Sequence, residues 1–470
     1  MVSAYDLAVI GGGSAGYAAA RTAGALGLKV AVVEGGEKVG GLCILRGCMP
    51  TKVMLESAHR NHEITRAKEF GIRVGNPKPD WKAILKRKDR LIAEFADYRR
   101  EQLEKGRFTF YRAKGCFTGP DHLALKAVGG ERVPTEIKAK TFLIATGSRT
   151  AQREIPGLEA VGYWTSDDCL KVSQPVKSLI VLGGRAVAME FAQYYAHLGV
   201  KVTVIQRSER LLPESDPETG DTMREVFLRD GMKVHCGTQI ERVEKKGEKK
   251  RITFMEGGKR KFVEAEQILQ ALGREPDLDR LNLSAAGVKT ERGKVVTQAT
   301  QQTSAPHIFA AGDVCGPYEV VHLAIQQGEV AAKNAALRLS GKEPMEKMDY
   351  RMKLEVIFTS PEVAGVGYSE KECREKGLEV VRASYPFADH GKSMVMGATD
   401  GYVKLIALKV SGEIVGAEVV GPHASDLIHE PMAIMRYRGT AKDMAEMPHY
   451  HPTLSEIWTY PAEEIMEKLD

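Results

Sequence analysis

The chain has 470 residues, 67 Lys plus Arg against 62 Asp plus Glu, 43% hydrophobic residues and seven cysteines. At roughly 100–200 residues per domain, this length predicts about three domains, each able to bury a core without disulfide staples. A formal charge of +5 is too small for a nucleic-acid footprint, so any steering is local, toward an acidic ligand or a phosphate. No stretch approaches the ~18–20 apolar residues of a membrane span, and Asp6 falls where a signal peptide needs its apolar core. The expectation is an unexported, cytoplasmic protein with mostly free thiols, in which a close cysteine pair is a working redox centre.

Residues 5–10 (YDLAVI) read as a strand running into GGGSAG, followed by a helical stretch over 17–26 and a second strand, KVAVVE, at 29–34. This is the strand–glycine turn–helix–strand pattern of dinucleotide binding. In it Gly11 permits the tight turn, Gly13 lets a pyrophosphate approach the backbone, Gly16 lets helix and strand pack, and Glu34 stands ready for a ribose. Nine residues on comes GGLCILRGCMPTK, in which Cys43 and Cys48 are five positions apart and Pro50 suits the first turn of a helix. A thiolate at a helix N-terminus is stabilised by the dipole and by nearby cations. Zinc would require a second Cys or His pair at metal spacing, and no second Cys pair exists, so no metal ligand set is assigned.

Residues 82–105 carry apolar positions at helical spacing among Lys, Arg and Glu, which predicts a long surface helix whose basic run, KAILKRKDR, reads as a solvated face in preference to a site for an anionic ligand. The dinucleotide unit then recurs: LIVL at 179–182 enters GGRAVA, a helix is expected over 189–198, and VKVTVIQ ends at Gln206. Gly11 to Glu34 and Gly183 to Gln206 both span 23 residues, so the chain holds two nucleotide-binding units. The segment 245–261 reads as an exposed charged hairpin. From Leu354 onward, LEVIFT, GYVKLIALKV and EIVGAEVV alternate as an antiparallel sheet with helices. Near the end, HYHPTLSE at 449–456 places Glu456 about one turn into a helix opened by Pro452, from where it would bond the His451 ring and set its tautomer; His449 reads as a bystander.

The redox segment resembles that of the class I pyridine nucleotide-disulfide oxidoreductases, the family of glutathione reductase, dihydrolipoamide dehydrogenase and mercuric reductase. TFLIATGS at 141–148 and HIFAAGDV at 307–314 resemble its second and third flavin motifs, ALGREP at 271–276 the strand closing its nicotinamide domain, and HYHPTLSE its C-terminal active-site motif. The resemblance implies an α/β protein with two Rossmann-like domains and a C-terminal α+β dimerisation domain. FAD would be held by 1–150 with 290–345, NAD(P) by 151–289, and the subunit interface formed by 346–470. It implies a homodimer in which Cys48 is the flavin-proximal sulfur, Cys43 exchanges with a small-molecule or protein disulfide, His451 arrives from the partner subunit to move protons, and Glu456 orients it. Lys52 and Glu190 match an ion pair beside the flavin. Gly41, Gly115, Thr146, Gly147, Asp313 and His322 would join Gly11, Gly13, Gly16, Glu34 and Lys52 around FAD. Gly183, Gly184, Arg185, Arg207 and Gly273 would line the nicotinamide site.

Departures from the pattern concern the electron donor. Arg185 stands where Gly13 stands in the first unit, and its guanidinium either folds outward to clamp a phosphate or occupies the dinucleotide's place. Gln206 replaces the ribose-binding carboxylate and Arg207 follows it, which favours NADPH over NADH. Leu42 stands where most relatives have threonine. There is no cysteine after Cys373 to form a C-terminal relay, no N-terminal metal-binding or lipoyl extension, and Arg21 reads equally as a substrate contact or a solvated residue. Three functions follow: NADPH-linked disulfide chemistry; the same flavin and disulfide served by a ferredoxin, a quinone or a redox protein because Arg185 closes the nicotinamide site; or a flavin-binding scaffold. A dihydrolipoamide dehydrogenase-like activity stands beside them as a variant of the first.

Overall fold

A computed structural model describes residues 3–75 and 77–469. The chain folds into two compact units, Met1–Thr51 with Lys86–Gln152 and Gly273–Asp349, and Lys52–Leu85 with Arg153–Leu272 and Tyr350–Asp470.

In the first unit, a parallel sheet is built in the order Thr109–Gly119, Val30–Glu34, Ser3–Ile10, Glu136–Ile144, Ile308–Ala310. Its central strands are short β-rich runs buried on both faces, as a parallel sheet covered by helices requires. His122–Ala127 pairs antiparallel with the outer half of Thr109–Gly119 and with Glu136–Ile144. The alanine-rich helix Ser14–Ala25 packs against Val321–Leu339. Small residues allow that approach: a Cβ on Gly328 would run into the Ala15 carbonyl.

In the second unit, Gln267–Gln270, Ser178–Leu182, Lys201–Ile205 and Lys233–His235 form a four-stranded parallel sheet. The helix Ala186–His197 lies on it and is buried along most of its length, with Trp81 against Tyr194 and Tyr195. A five-stranded antiparallel sheet in the order Leu354–Ile357, Glu362–Gly367, Ile414–Gly421, Tyr402–Leu408, Val380–Pro386 completes the unit. The expected hairpin at 245–261 is the middle of a larger element, a three-stranded sheet of Thr238–Lys246, Lys249–Glu256 and Lys259–Ala265. Its inner face is apolar, with Val243, Ile252 and Phe254 buried, and so it is not simply an exposed loop.

Two helix boundaries also differ from expectation. The helices after each glycine turn begin at Ser14 and Ala186, three residues early, because the turn itself supplies the first N–H groups. Pro452 does not open a helix: a 3₁₀ turn runs over Ser455–Trp458 and the α-helix over Thr459–Leu469, the start being set by burial of Ile457 and Trp458. The long helix Trp81–Glu104 is present as predicted. Among the described residues no helix is long and apolar enough to cross a membrane.

Candidate functional site

The first glycine turn is shaped for a dinucleotide. Gly11 has φ +107°, and a Cβ there would collide with the Ala145 carbonyl; a Cβ on Gly16 would collide with the Gly11 carbonyl. Gly13 differs: the nearest atom to its Cβ is Gly41 Cα at 3.7 Å, so no protein group demands a glycine there and the space before it is open to a ligand. Gly41, at φ +72°, approaches so closely that its own Cβ would lie 2.7 Å from Gly13 Cα. The helix Ser14–Ala25 has no side-chain cap and no acid in its first turn, which leaves its N–H groups free for a pyrophosphate. Glu34 accepts from the Gly12 N–H at 2.8 Å and the Gly36 N–H at 2.6 Å, and its remaining lone pairs can take ribose hydroxyls. This cradle fits FAD.

The other flavin-motif residues lie in the same unit. Thr146 Oγ1 donates to the Asp277 carbonyl at 2.7 Å, and Gly147, at φ +72°, accepts from the Asp277 N–H at 3.0 Å. Asp313 accepts from Ser148 Oγ at 2.5 Å, and Ser148 in turn accepts from Arg274 at 2.8 Å. Gly273, expected with the nicotinamide-site residues, instead belongs to this first unit, at φ +105° with its carbonyl accepting from the Ala151 N–H. Gly115 sits inside a strand where a Cβ would meet Leu123 at 2.9 Å, and His322 is half-buried at the start of Val321–Leu339. Arg21 pairs with Glu329 at 2.9 Å on the surface.

Cys43 lies in a short helix, Gly41–Arg46, that sequence reasoning missed, and Cys48 is the first residue of the helix Cys48–Arg66. Both are half-buried thiols. The adjacent Cys48 sulfur and burial push the Cys43 thiol far above its ordinary range, and the backbone N–H groups of Cys48 and Met49 oppose this only in part. Release of the Cys43 proton therefore calls for a base. Arg99, stacked 4.3 Å over the Tyr17 ring, adds a cation whose charge couples to Cys43, a residue with no sequence signal beyond its helix.

In the second unit, Lys52 Nζ lies 2.8 Å from both oxygens of the buried Glu190, which also accepts from the Phe358 N–H at 3.0 Å. The pairing expected from sequence is present, and Phe358, its ring 4.7 Å beneath Lys52, is an unforeseen third member. His451 Nδ1 and Glu456 Oε2 are 2.9 Å apart, with the imidazole 79% exposed and the carboxylate buried. His390, wholly buried, places Nε2 3.3 Å from the other oxygen of Glu456. His449 is bonded to Glu430 at 2.5 Å and to the Met447 carbonyl, away from this pair.

The second glycine turn repeats the first. Gly183 has φ +118°, and a Cβ on Gly184 would lie 3.0 Å from the buried Gln206 side chain, as Gly12 lies against Glu34. The Arg185 side chain is 67% exposed and pairs with Glu214. The helix behind it again has no side-chain cap and no acid in its first turn. Arg207 is exposed.

Residues 5–328 match the family described as "Pyridine nucleotide-disulphide oxidoreductase", and residues 354–462 its dimerisation domain. Among curated proteins, the chain is 34% identical to a dihydrolipoyl dehydrogenase of Chlamydia muridarum over 98% of this chain and 97% of that one, and 36% identical to one of Thermus scotoductus over 96% and 95%. It is 34% identical to a mercuric reductase of Bacillus cereus over 96% of this chain and 70% of that one. Among solved structures, the Cu(II) complex of the HOCl-induced flavoprotein disulfide reductase RclA from Escherichia coli shares the fold, with TM-score 0.84, 23% identity, and 97% and 99% coverage.

Proposed function

The chain belongs to the pyridine nucleotide-disulphide oxidoreductases, FAD-dependent enzymes acting on sulfur groups, and from that premise we propose that it moves an electron pair between NADPH and a small-molecule or protein disulfide through Cys43 and Cys48. On this reading 1–150 and 290–345 hold FAD, 151–289 hold the nucleotide, and 346–470 join two copies into a homodimer. Gly11, Gly13, Gly16, Glu34, Gly41 and Asp313 hold the flavin, which when bound supplies two-electron redox chemistry between nucleotide and disulfide.

The chain's own residues carry the sulfur chemistry. With the pair reduced, Cys43 loses its proton to His451 and its thiolate attacks one sulfur of the substrate disulfide. A Cys43–substrate S–S bond forms, the substrate S–S bond breaks, and the leaving thiolate takes the proton back from His451. Cys48 thiolate then attacks Cys43 sulfur, releases the second substrate thiolate and closes the Cys43–Cys48 disulfide, so the substrate gains the two electrons that the pair loses. Glu456 fixes the His451 tautomer and stabilises its imidazolium.

The observation that carries the choice of donor is the Arg185–Glu214 pair. With the guanidinium paired to Glu214, the backbone at 183–186 keeps the geometry of a dinucleotide turn, which favours NADPH over a ferredoxin, quinone or redox-protein donor, and Gln206 with Arg207 favours the 2′-phosphorylated nucleotide. The near-full-length likeness to dihydrolipoyl dehydrogenases supports a second reading, in which a dithiol is oxidised and electrons run the other way. Anaerobic titration of the purified holoenzyme separates these. NADPH is expected to reduce it rapidly, giving a long-wavelength thiolate–flavin band, with NADH slower. Reduction by dithionite but by neither nucleotide would sink the nicotinamide reading, and a preference for NADH with lipoamide turnover would favour the second. Arg207→Ala should raise the KM for NADPH by roughly tenfold or more, the worth of a charge-assisted hydrogen bond, and leave that for NADH unchanged; steady-state kinetics with both nucleotides read this.

A further inference from the structure

Three exposed cations of the helix Trp81–Glu104 and the residue after it are paired along the helix: Arg90 with Glu94 at 2.7 Å, Arg100 with Glu104 at 2.7 Å, and Lys105 with Glu101 at 2.5 Å. Arg99 is denied such a partner. Phe95 stands four residues before it and the wholly buried Leu103 four after, with Ala96 and Gln102 at three residues' distance, so none of its neighbours on the helix face carries a carboxylate. The half-buried guanidinium lies instead over the Tyr17 ring, 4.3 Å from the centroid. Its Nε–H is buried without an acceptor, and among the described residues it makes no ion pair. Burial pulls this guanidinium below its ordinary range, and the groups that oppose the shift are two phenols, Tyr17 and Tyr98, and the Cys43 thiol, with no carboxylate among them. A cation removed from water in this way lacks an anion.

The backbone carries this stack to the redox pair. Tyr17 closes the first turn of the helix Ser14–Ala25, its N–H donating to the Gly13 carbonyl at 2.9 Å. Gly41, the first residue of the short helix that holds Cys43, packs on the same Gly13, so that a Cβ on Gly41 would lie 2.7 Å from Gly13 Cα. Tyr17, Arg99 and Cys43 all belong to the first compact unit, and the guanidinium charge is felt at the Cys43 sulfur. The amount of charge decides which anion fits. No lysine, histidine or other arginine is among the groups whose charge bears on Arg99. One guanidinium balances one carboxylate and its planar fork matches the two carboxylate oxygens, whereas a phosphate dianion would keep an uncompensated charge.

The geometry points to Arg99 as a substrate-binding residue that takes the carboxylate of an acidic disulfide while Cys43 exchanges with that disulfide's sulfur. This assignment rests on the reading of Cys43 as the exchanging thiol, and it names the substrate class: a carboxylate-bearing disulfide is preferred over an uncharged one of similar size.

Two comparisons test it. In holoenzyme carrying Cys48→Ser, where Cys43 is the lone thiol of the pair, alkylation of Cys43 by iodoacetate and by iodoacetamide is timed by peptide mass spectrometry. The ratio of the two rates cancels the fraction of thiolate and so reports attraction of the anion alone. Adding Arg99→Gln is expected to lower that ratio by about threefold or more, and Arg99→Lys, which keeps the charge, to lower it less. With both cysteines present, enzyme reduced by stoichiometric dithionite is mixed anaerobically with dithiodipropionate, a dianion, or with hydroxyethyl disulfide, which is uncharged, and its reoxidation is followed in the flavin spectrum. The preference for the dianion is expected to fall by about tenfold in Arg99→Gln, as loss of a charge-assisted hydrogen bond does. A wild type with no preference for the dianion, or ratios that Arg99→Gln leaves unchanged, overturns the assignment. If neither disulfide reoxidises the enzyme, the exchange reading falls and the substrate role with it, while an alkylation ratio that drops in Arg99→Gln would still mark the anion site, so the two failures are told apart.

Discussion

Glu456 serves two imidazoles, one exposed and one enclosed. His451 reaches solvent, whereas His390 is enclosed with Nδ1 2.8 Å from Ser393 Oγ. Burial lowers His390 below the usual imidazole range, and the Glu456 charge offsets that only in part. As pH falls through about 6.5 the unfolded chain takes up a proton at this position while the folded one does not, so the unfolded state binds more protons and stability drops. The midpoint of thermal unfolding, followed by circular dichroism, is therefore expected to fall between pH 7 and 5 more steeply in the wild type than in His390→Asn; equal slopes would remove His390 as a source. The His451–Glu456 contact was legible from a five-residue separation. His390 was not, because the 65 positions between it and Glu456 carry no mark that the fold closes on that carboxylate.

Among the elements, the clearest dependence on a single side chain is where the helix Pro217–Arg229 meets the strand Tyr402–Leu408. Lys404, 2% exposed, is ringed by Asp216 at 2.5 Å, Glu218 at 2.6 Å, Glu418 at 3.2 Å and Glu370 at 3.5 Å. Burial raises the pKa of Glu418 and the lysine opposes it, while burial lowers that of Lys404 and the carboxylates more than reverse this. Lys404→Met would leave the acids enclosed without their cation and is expected to destabilise by ~3–5 kcal/mol, the cost of orphaning a buried charge; urea unfolding at neutral pH measures it. The strand pattern gives no hint of this, since a lysine in KLIAL alternation reads as a solvent-facing residue. Elements defined by local periodicity, such as Ser3–Ile10, Val30–Glu34 and Trp81–Glu104, were readable within a residue or two. Those set by tertiary burial were not: the third strand that turns the 245–261 hairpin into a sheet, and the helix start after Pro452, depend on which apolar side chains find cover.

At the scale of the whole molecule, residues 354–462 match a dimerisation domain, so the proposed chemistry is tested in a pair of chains. If His451 works on the partner's cysteines, a hybrid of one Cys43→Ser chain and one His451→Ala chain contains one complete site, whereas either parent dimer contains none. Differently tagged chains, co-expressed and purified through both tags, are expected to regain about half the wild-type turnover, while each parent falls by about 10²–10⁴-fold or more, as loss of a proton-transfer group does. An inactive hybrid would place both residues' work within one chain. The sequence by itself determined the two glycine turns, the cysteine pair and the His451–Glu456 partners, which rest on residue type and spacing along a covalent chain, while its resemblance to a known family supplied the family and the Lys52–Glu190 pair. Only the tertiary structure decided that Arg185 pairs with Glu214, that Phe358 and His390 join the Lys52–Glu190 and His451–Glu456 pairs, and that His59, His62, His197 and Asp230 converge. Contacts such as Arg185–Glu214 and Glu190–Phe358 join residues 29 and 168 positions apart, and their energies come from burial and charge pairing that exist only after the chain has folded.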